Sequence, residues 1–347
     1  MFVCKFQCGR ILKLYRWKIA AHMPSEILQK IHSTWPNLEL SVTLEDRRKV
    51  ESAADHKMDI DLLSSPLLTE LTYTVYYKGW SCDRPVKSEW PRLTQVLNHG
   101  GNIRSLQLTA QPDYHPQIVD DNLPENIPRL DLLPGTHFSK LEELSIKADC
   151  YPYLWDKSHC SALHDAIDIT RIRKLDFGDN NPEDFFTFFK DLMPNLRSLG
   201  FGLKRGPVKP ARNFITSLTG LESLRIMAVQ NGIPGLWPAI NCHKQTLKRL
   251  IFGPRVYPGS ETYTYGPPEF MNVRTLSSVP GKYPRLEHLG WPVPCEQSVS
   301  AFESYNDRCK CSFGFTCRLP SSNSINATQS GPMICSTDGV KICNPKN

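Results

Sequence analysis

The sequence lacks long hydrophobic runs, recognisable catalytic motifs and a broad excess of charge. A membrane-spanning helix needs about eighteen consecutive apolar residues, and no uninterrupted apolar stretch of the chain approaches that length. The phosphate-binding motifs G-x-x-x-x-G-K-[ST] and G-x-G-x-x-G and the hydrolase motifs H-E-x-x-H and G-x-S-x-G are absent, and the ten histidines are scattered. We therefore expect no membrane association, no catalytic residue, no cofactor and no metal site, and hence a protein that is not an enzyme.

The net charge of +6 is concentrated at the start of the chain. Residues 1–24 contain no acid and five cationic residues, which are Lys5, Arg10, Lys13, Arg16 and Lys18. The remaining sequence is nearly neutral, so we expect no nucleic-acid partner. For the basic segment 1–24 we expect a frayed first helix or the remnant of a longer one. A helix on a membrane surface is the alternative.

One apolar pattern recurs eight times along the chain. It reads L-x-x-L-x-L, as in "LRSLGF" at Leu196–Phe201 and "LESLRI" at Leu221–Ile226. We call its apolar positions the first, second and third anchors. The first anchors fall at residues 68, 103, 141, 172, 196, 221, 247 and 286, in steps of 35, 38, 31, 24, 25, 26 and 39 residues. The middle steps match the length of about 20–29 residues of a leucine-rich repeat.

The second and third anchors alternate with polar residues, which is typical of a strand with one buried face. Helix-like segments separate the strands, at residues 90–101, 161–171, 183–193, 211–220 and 236–247. Helical crossovers make neighbouring strands parallel. The sequence thus predicts an α/β fold, a leucine-rich-repeat solenoid of irregular repeats over residues 25–294, with parallel strands on the concave side and helices outside.

The ends of the repeat region are less regular. A divergent first unit is expected, with a helix at Glu26–Ile31 and a strand at Trp35–Val42. The long steps imply insertions, which we expect to form loops at Cys82–Glu89, Ala110–Arg129 and Gly253–Phe270.

Residues between the anchors are predicted to point away from the core on the concave side. They would spread over about 35–40 Å, because strands lie about 4.8 Å apart. Their mixed charges suit protein side chains better than a uniform polyanion. The residues that we predict to bind a protein partner are Glu70, Gln107, Glu143, Lys174, Asp176, Arg225, Arg249 and His288.

The last segment, residues 295–347, is rich in cysteine and has lost the repeat. We expect a poorly ordered tail, because "RLPSSNSINATQSGP" has too few apolar groups to fold. A disulfide-bonded tail in an oxidising compartment and a zinc site are alternatives. Its six cysteines are Cys295, Cys309, Cys311, Cys317, Cys335 and Cys343.

The chain resembles the fungal F-box and leucine-rich-repeat-like proteins over about residues 25–295. The resemblance rests on phrases such as "ILQKIHSTWPNLEL", "EWPRLTQVLNHGGNIRSL", "RKLDFGDNNPEDFF" and "YPRLEHLGW". It implies a substrate receptor of an SCF-type ubiquitin ligase, in which an F-box docks on the ligase adaptor and the repeats hold the target protein.

The sequence departs from this family at its start. "MPSEILQKI" (Met23–Ile31) resembles the opening of an F-box, but a strand-like segment follows it directly, so a complete three-helix module is not expected. Our leading hypothesis is a non-catalytic protein-interaction scaffold, cytoplasmic or nuclear, whose partner includes the ligase adaptor if ligase function remains. The alternative is a secreted or surface leucine-rich-repeat recognition protein with a disulfide-bonded tail.

Overall fold

The computed structural model describes residues 13–18, 22–44, 58–78, 87–98, 101–112, 129–148, 153, 155–203, 208–227, 233–253, 282–291 and 315–318. Its strands are β1 (Leu14–Trp17), β2 (Glu39–Leu44), β3 (Leu68–Lys78), β4 (Lys87–Ser88), β5 (Ser105–Pro112), β6 (Glu143–Ala148), β7 (Lys174–Asp176), β8 (Ser198–Gly202), β9 (Ser223–Met227), β10 (Arg249–Gly253), β11 (His288–Trp291) and β12 (Phe315–Arg318). Its helices are α1 (Ser25–Thr34), α2 (Ile60–Leu63), α3 (Trp90–Leu97), α4 (Lys157–Ala166), α5 (Glu183–Phe188), α6 (Val208–Ser217) and α7 (Ile233–Asn241).

Ten of these strands form one all-parallel sheet in the order in which they occur in the chain. The path runs from β1 through β2 and β3 to β5, and then strand by strand to β11. The short β4 pairs with β3 and β12 pairs with β11, both antiparallel. The predicted α/β architecture of parallel strands alternating with helices is therefore confirmed.

The second anchors lie side by side across this sheet. Each is the direct partner of the next, because every parallel pair keeps the same register. The row continues into the first two strands, where Val42 pairs with the second anchor of β3 and Trp17 pairs with Val42. The eight anchors of the row are Leu71, Leu106, Leu144, Leu175, Leu199, Leu224, Leu250 and Leu289.

The same pair of backbone hydrogen bonds holds the start of six successive strands, β6 to β11. The carbonyl of Arg104, just after a first anchor, accepts from the N–H groups of Glu142 and Glu143 at 2.8 and 2.9 Å. The same double acceptance recurs at the carbonyls of Glu142, Arg173, Arg197, Glu222 and Lys248. Equal sequence at these positions thus produces equal backbone geometry, which keeps the anchors in register.

The core lies on the side of the sheet that the anchors face. Anchors and the buried residues of the helices belong to a single apolar cluster. Aromatic rings fill its middle, where Phe185 and Phe186 of α5 contact Phe177, which directly follows β7, and Phe214 of α6. The described helices therefore cover one face of the sheet and leave the other face to polar side chains.

Part of the basic segment 1–24 forms a strand, where we expected a helix or a frayed end. Leu14–Trp17 is β1, and it pairs in parallel with β2. Tyr15 and Trp17 both pack against the core, and Trp17 is 3% exposed. This spacing of two residues, with the exposed Arg16 between them, suits a strand and not the helix that we expected.

The expected helices and the first unit are found, with three local differences. Helix α5 ends at Phe188, earlier than predicted, and Asp191 beyond it has a φ of 66°. Asp59 caps an unpredicted short helix, α2, by accepting from Leu62 N–H at 3.1 Å. The unpredicted β12 lies within the tail. The insertions are not loops throughout: Lys87–Ser88 is the strand β4, and β5 extends to Pro112. Most of the remaining insertion residues and the rest of residues 295–347 lie outside the described residues.

Candidate partner-binding face

Two rows of side chains flank the second anchors on the face opposite the core, which we call the polar face. All eight residues predicted to bind a partner belong to these rows. The first row contains Ser41, Glu70, Ser105, Glu143, Lys174, Ser198, Ser223, Arg249 and His288. The second row contains Thr43, Thr72, Gln107, Ser145, Asp176, Gly200, Arg225, Ile251 and Gly290.

A charged network occupies the middle of the polar face. Arg225 Nη2 donates to Asp176 Oδ1 at 2.5 Å, although a whole strand, β8, separates the two residues. Lys147 Nζ lies 3.0 Å from Asp176 Oδ2. The N–H of Gly178, in the left-handed region at φ +61°, donates to Asp176 Oδ1 at 3.0 Å. The Asp176 carboxylate is thus contacted by two cationic side chains and one backbone N–H donor.

Gly200 makes this network possible. It lies between Asp176 and Arg225 in the register, so the guanidinium must pass directly over it. A Cβ atom at this position would stand 2.7 Å from Asp176 Oδ1 and 3.3 Å from Arg225 Nε. Any side chain larger than hydrogen would therefore separate the ion pair.

The network keeps Asp176 ionised. Burial alone would raise the pKa of this carboxyl, which is 16% exposed, but the charges of Arg225 and Lys147 and the hydrogen bond from Gly178 lower its pKa overall. The carboxylate is thus a fixed acceptor with its partners in place. The two cations outnumber it, so the centre of the polar face carries a surplus positive charge.

A second polar chain lies beside this network. Lys174 Nζ is 3.0 Å from Glu143 Oε2, which also accepts from Ser105 Oγ at 3.4 Å. Gln107 Nε2 donates to Ser105 Oγ at 3.4 Å. Five of the eight predicted residues are thus brought into two neighbouring groups, and Glu70, Arg249 and His288 belong to neither. Glu70 and Arg249, both exposed, form no ion pair with a described residue.

A further charged row, which the sequence did not lead us to predict, lies where the strands begin. Its members directly follow the first anchors. Arg104 Nη1 lies 2.9 Å from Glu39 Oε1, and Lys248 Nζ lies 2.6 Å from Glu222 Oε2. The sequence does show a charged residue after the first anchor in repeat after repeat. Our prediction, however, used the apolar–polar alternation, which begins two residues later at the second anchor.

A buried cluster near the carboxyl end of β6 contains the ionisable groups with the largest displacements of pKa. His159 Nε2 lies 3.0 Å from the hydroxyl of Tyr153, and Asp156 Oδ1 accepts from His159 N–H at 2.8 Å. Burial, followed by the charge of Arg129, lowers the pKa of His159 to about 4. Burial raises the pKa of the Cys160 thiol to about 12. Tyr153 and His159 contact each other and the ring of Trp155, and Cys160 is fully buried, so we assign these side chains to the core.

Acidification is expected to destabilise the fold through His159. Its pKa is about 4 when folded and about 6.5 when unfolded, so the unfolded state binds the proton first and stability falls as pH drops from about 6.5 to about 4. The loss is up to about 3 kcal/mol. Urea unfolding at several pH values measures it. His159→Gln should flatten this dependence, whereas His164→Gln, on the exposed side of α4, should retain it.

The described residues contain no group of three His, Cys, Asp or Glu side chains placed to hold a metal ion. Within the same part of the chain, no helix is long and apolar enough to cross a membrane. Comparison of the chain with family models, curated proteins and solved structures finds no match. A function for this protein is therefore inferred from the polar face itself.

Proposed function

We propose that this chain is a leucine-rich-repeat-like scaffold that binds a protein partner on its polar face and catalyses no reaction. One observation carries the proposal. Eight residues selected for their spacing lie in two continuous rows on one face of the sheet, while the described helices pack against the other.

The packing supports a concave polar face. Helices packed side by side need about 8–10 Å each, whereas strands need about 4.8 Å. A layer of helices joined to a layer of strands, one of each per repeat, therefore curves with the strands inside. This is the geometry that repeat proteins use to surround a partner.

The size of the face suits a protein. From β3 to β11 the two rows cross eight parallel strands, which spans about 34 Å. A standard protein interface buries about 800 Å² per partner, and the rows offer room for it. Most of their side chains are polar or charged of both signs, and the central ion pairs are already formed. The donors and acceptors of the face are thus already ordered, so binding a partner would cost little additional side-chain entropy.

The ligase role is the finer part of the proposal and depends on the family resemblance. Helix α1 is followed by β2 after only four residues, Trp35–Leu38, which leaves no room between them for the second helix of an F-box. Co-purification of the tagged full chain with the ligase adaptor and cullin tests this role. Reproducible absence of both proteins would remove the ligase role and leave the scaffold.

Photo-crosslinking from the polar face tests the scaffold function. A photoreactive residue at Gln107, near the centre of the face, is expected to give a discrete protein adduct in cells. The same residue at Arg212, exposed on α6 on the opposite side, should not. Arg225→Glu should reduce the Gln107 adduct by about tenfold or more, because it replaces the part-buried ion pair with two acids that repel each other and so disrupts the centre of the polar face.

Two controls make this test decisive. Arg173→Glu places the same charge change on an exposed residue outside the two rows, and it should leave the Gln107 adduct within about twofold of the parent. Equal adducts from Gln107 and Arg212, or an adduct that Arg225→Glu leaves unchanged, would contradict binding on the polar face.

A further inference from the structure

Two arginines and a histidine gather at one corner of the sheet, where β10 and β11 begin. Arg249 is exposed at the start of β10 on the polar face, and His288 lies beside it at the start of β11. Arg285 is exposed in the turn that leads into β11. None of these three side chains forms an ion pair within the described part of the chain.

An open cavity of about 560 Å³ adjoins this corner. Two exposed lysines, Lys244 and Lys282, stand on its wall, and they belong to the segments that lead into β10 and β11. The other described residues that line it are uncharged, and they are Asn241, Gln245 and Pro284. Tyr283 holds the two segments together, since its hydroxyl donates to Asn241 Oδ1 at 2.7 Å.

Two acids of the corner do not balance these cations. Glu222 is already engaged: the hydrogen bond from Lys248 lowers its pKa, and the charges of Arg197 and Arg285 contribute to the lowering. Glu287 is exposed at the edge of β11. Among the described residues of the corner, the five cations Lys244, Lys248, Arg249, Lys282 and Arg285 against the two acids Glu222 and Glu287 leave a net charge of +3.

We propose that this corner, the cavity together with Arg249 and His288, receives an acidic segment of the protein partner. The inference rests on the proposed function and adds the chemistry of the ligand. Carboxylates of a peptide would meet unpaired cations on two adjacent surfaces, the cavity wall and the polar face. A long polyanion suits the face less well, because the exposed Glu70 lies further along the same row and would repel it.

Binding of an acidic peptide to the full chain tests the proposal. The probe is a fluorescein-labelled dodecapeptide in which glutamate alternates with serine, and its control carries glutamine in place of glutamate. Fluorescence anisotropy in low salt is expected to show about tenfold tighter binding of the glutamate peptide. This preference should weaken at about 0.5 M NaCl, since screening acts on exposed charges.

Matched variants separate a site from net charge. Lys244→Gln with Lys282→Gln should weaken glutamate-peptide binding by about tenfold, whereas Lys140→Gln with Lys190→Gln, exposed lysines elsewhere, should change it less than about twofold. Equal losses in both pairs, or equal binding of both peptides, would overturn the acidic-segment proposal. The Gln107 adduct would then still decide the scaffold function separately.

Discussion

Phe185→Ala is expected to lower the free energy of unfolding by about 3–5 kcal/mol. Phe185 is fully buried at the centre of the core. Its ring centroid lies 4.3 Å from that of Phe189, 4.8 Å from that of Phe177 and 5.0 Å from that of Trp155. Phe177 directly follows β7, Trp155 lies in a loop and Phe189 directly follows α5, so the three rings cannot all move to fill the cavity. Equilibrium unfolding in guanidinium chloride measures the loss.

Phe188→Ala is the matched control, because it removes the same ring from the same helix. Phe188 is only half-buried and packs at the rim of the core. Removing its ring should cost less than half as much free energy of unfolding as removing that of Phe185, because a half-buried ring buries less apolar area on folding. Equal losses for the two variants would show that α5 packs differently from the structure described here.

Gly202→Ala should destabilise the fold by about 2–3 kcal/mol or more, although it adds a single methyl group. A Cβ atom at Gly202 would lie 2.0 Å from the carbonyl oxygen of Asp179, a backbone atom that cannot rotate away. Gly202 N–H also donates to the carbonyl of Asn180 at 2.8 Å, which holds the end of β8 against the turn after β7. Thermal and denaturant unfolding measure the effect.

Gly235→Ala is its control and should have the opposite sign. Gly235 lies in the first turn of α7, where the nearest atom to an added Cβ is 3.5 Å away on the Val208 side chain. Because alanine is the better helix former, we expect a gain of up to about 1 kcal/mol. A loss at Gly202 no greater than the change at Gly235 would be inconsistent with the close contact between β8 and the turn.

The polar face could be predicted from spacing alone. Once the second anchors are equivalent, the residues on either side of them must fall in rows, because side chains alternate along a strand. Glu143, Lys174 and Asp176 were selected in this way, and the register places them on adjacent strands as expected. Their role in binding a partner stays a prediction.

The contacts within that face could not be predicted. Arg225 reaches Asp176 across β8 only because Gly200 leaves the space, and the sequence separation of 49 residues carries no sign of it. Lys147 joins the same carboxylate from β6, one step further along the strand than the residues that we had selected. Such pairs depend on side-chain directions over three strands, which a repeat pattern does not specify.

The sequence by itself determined the order and direction of the strands, because a repeated alternation of apolar residues can be buried only when equal units stack in equal register. Only the tertiary structure decided that Leu14–Trp17 joins the sheet as its first strand, since four residues become a strand when a neighbour with free backbone groups lies beside them. It also decided which charges pair and which stay free, because ion pairs depend on distances of a few ångströms that arise after the strands have come together.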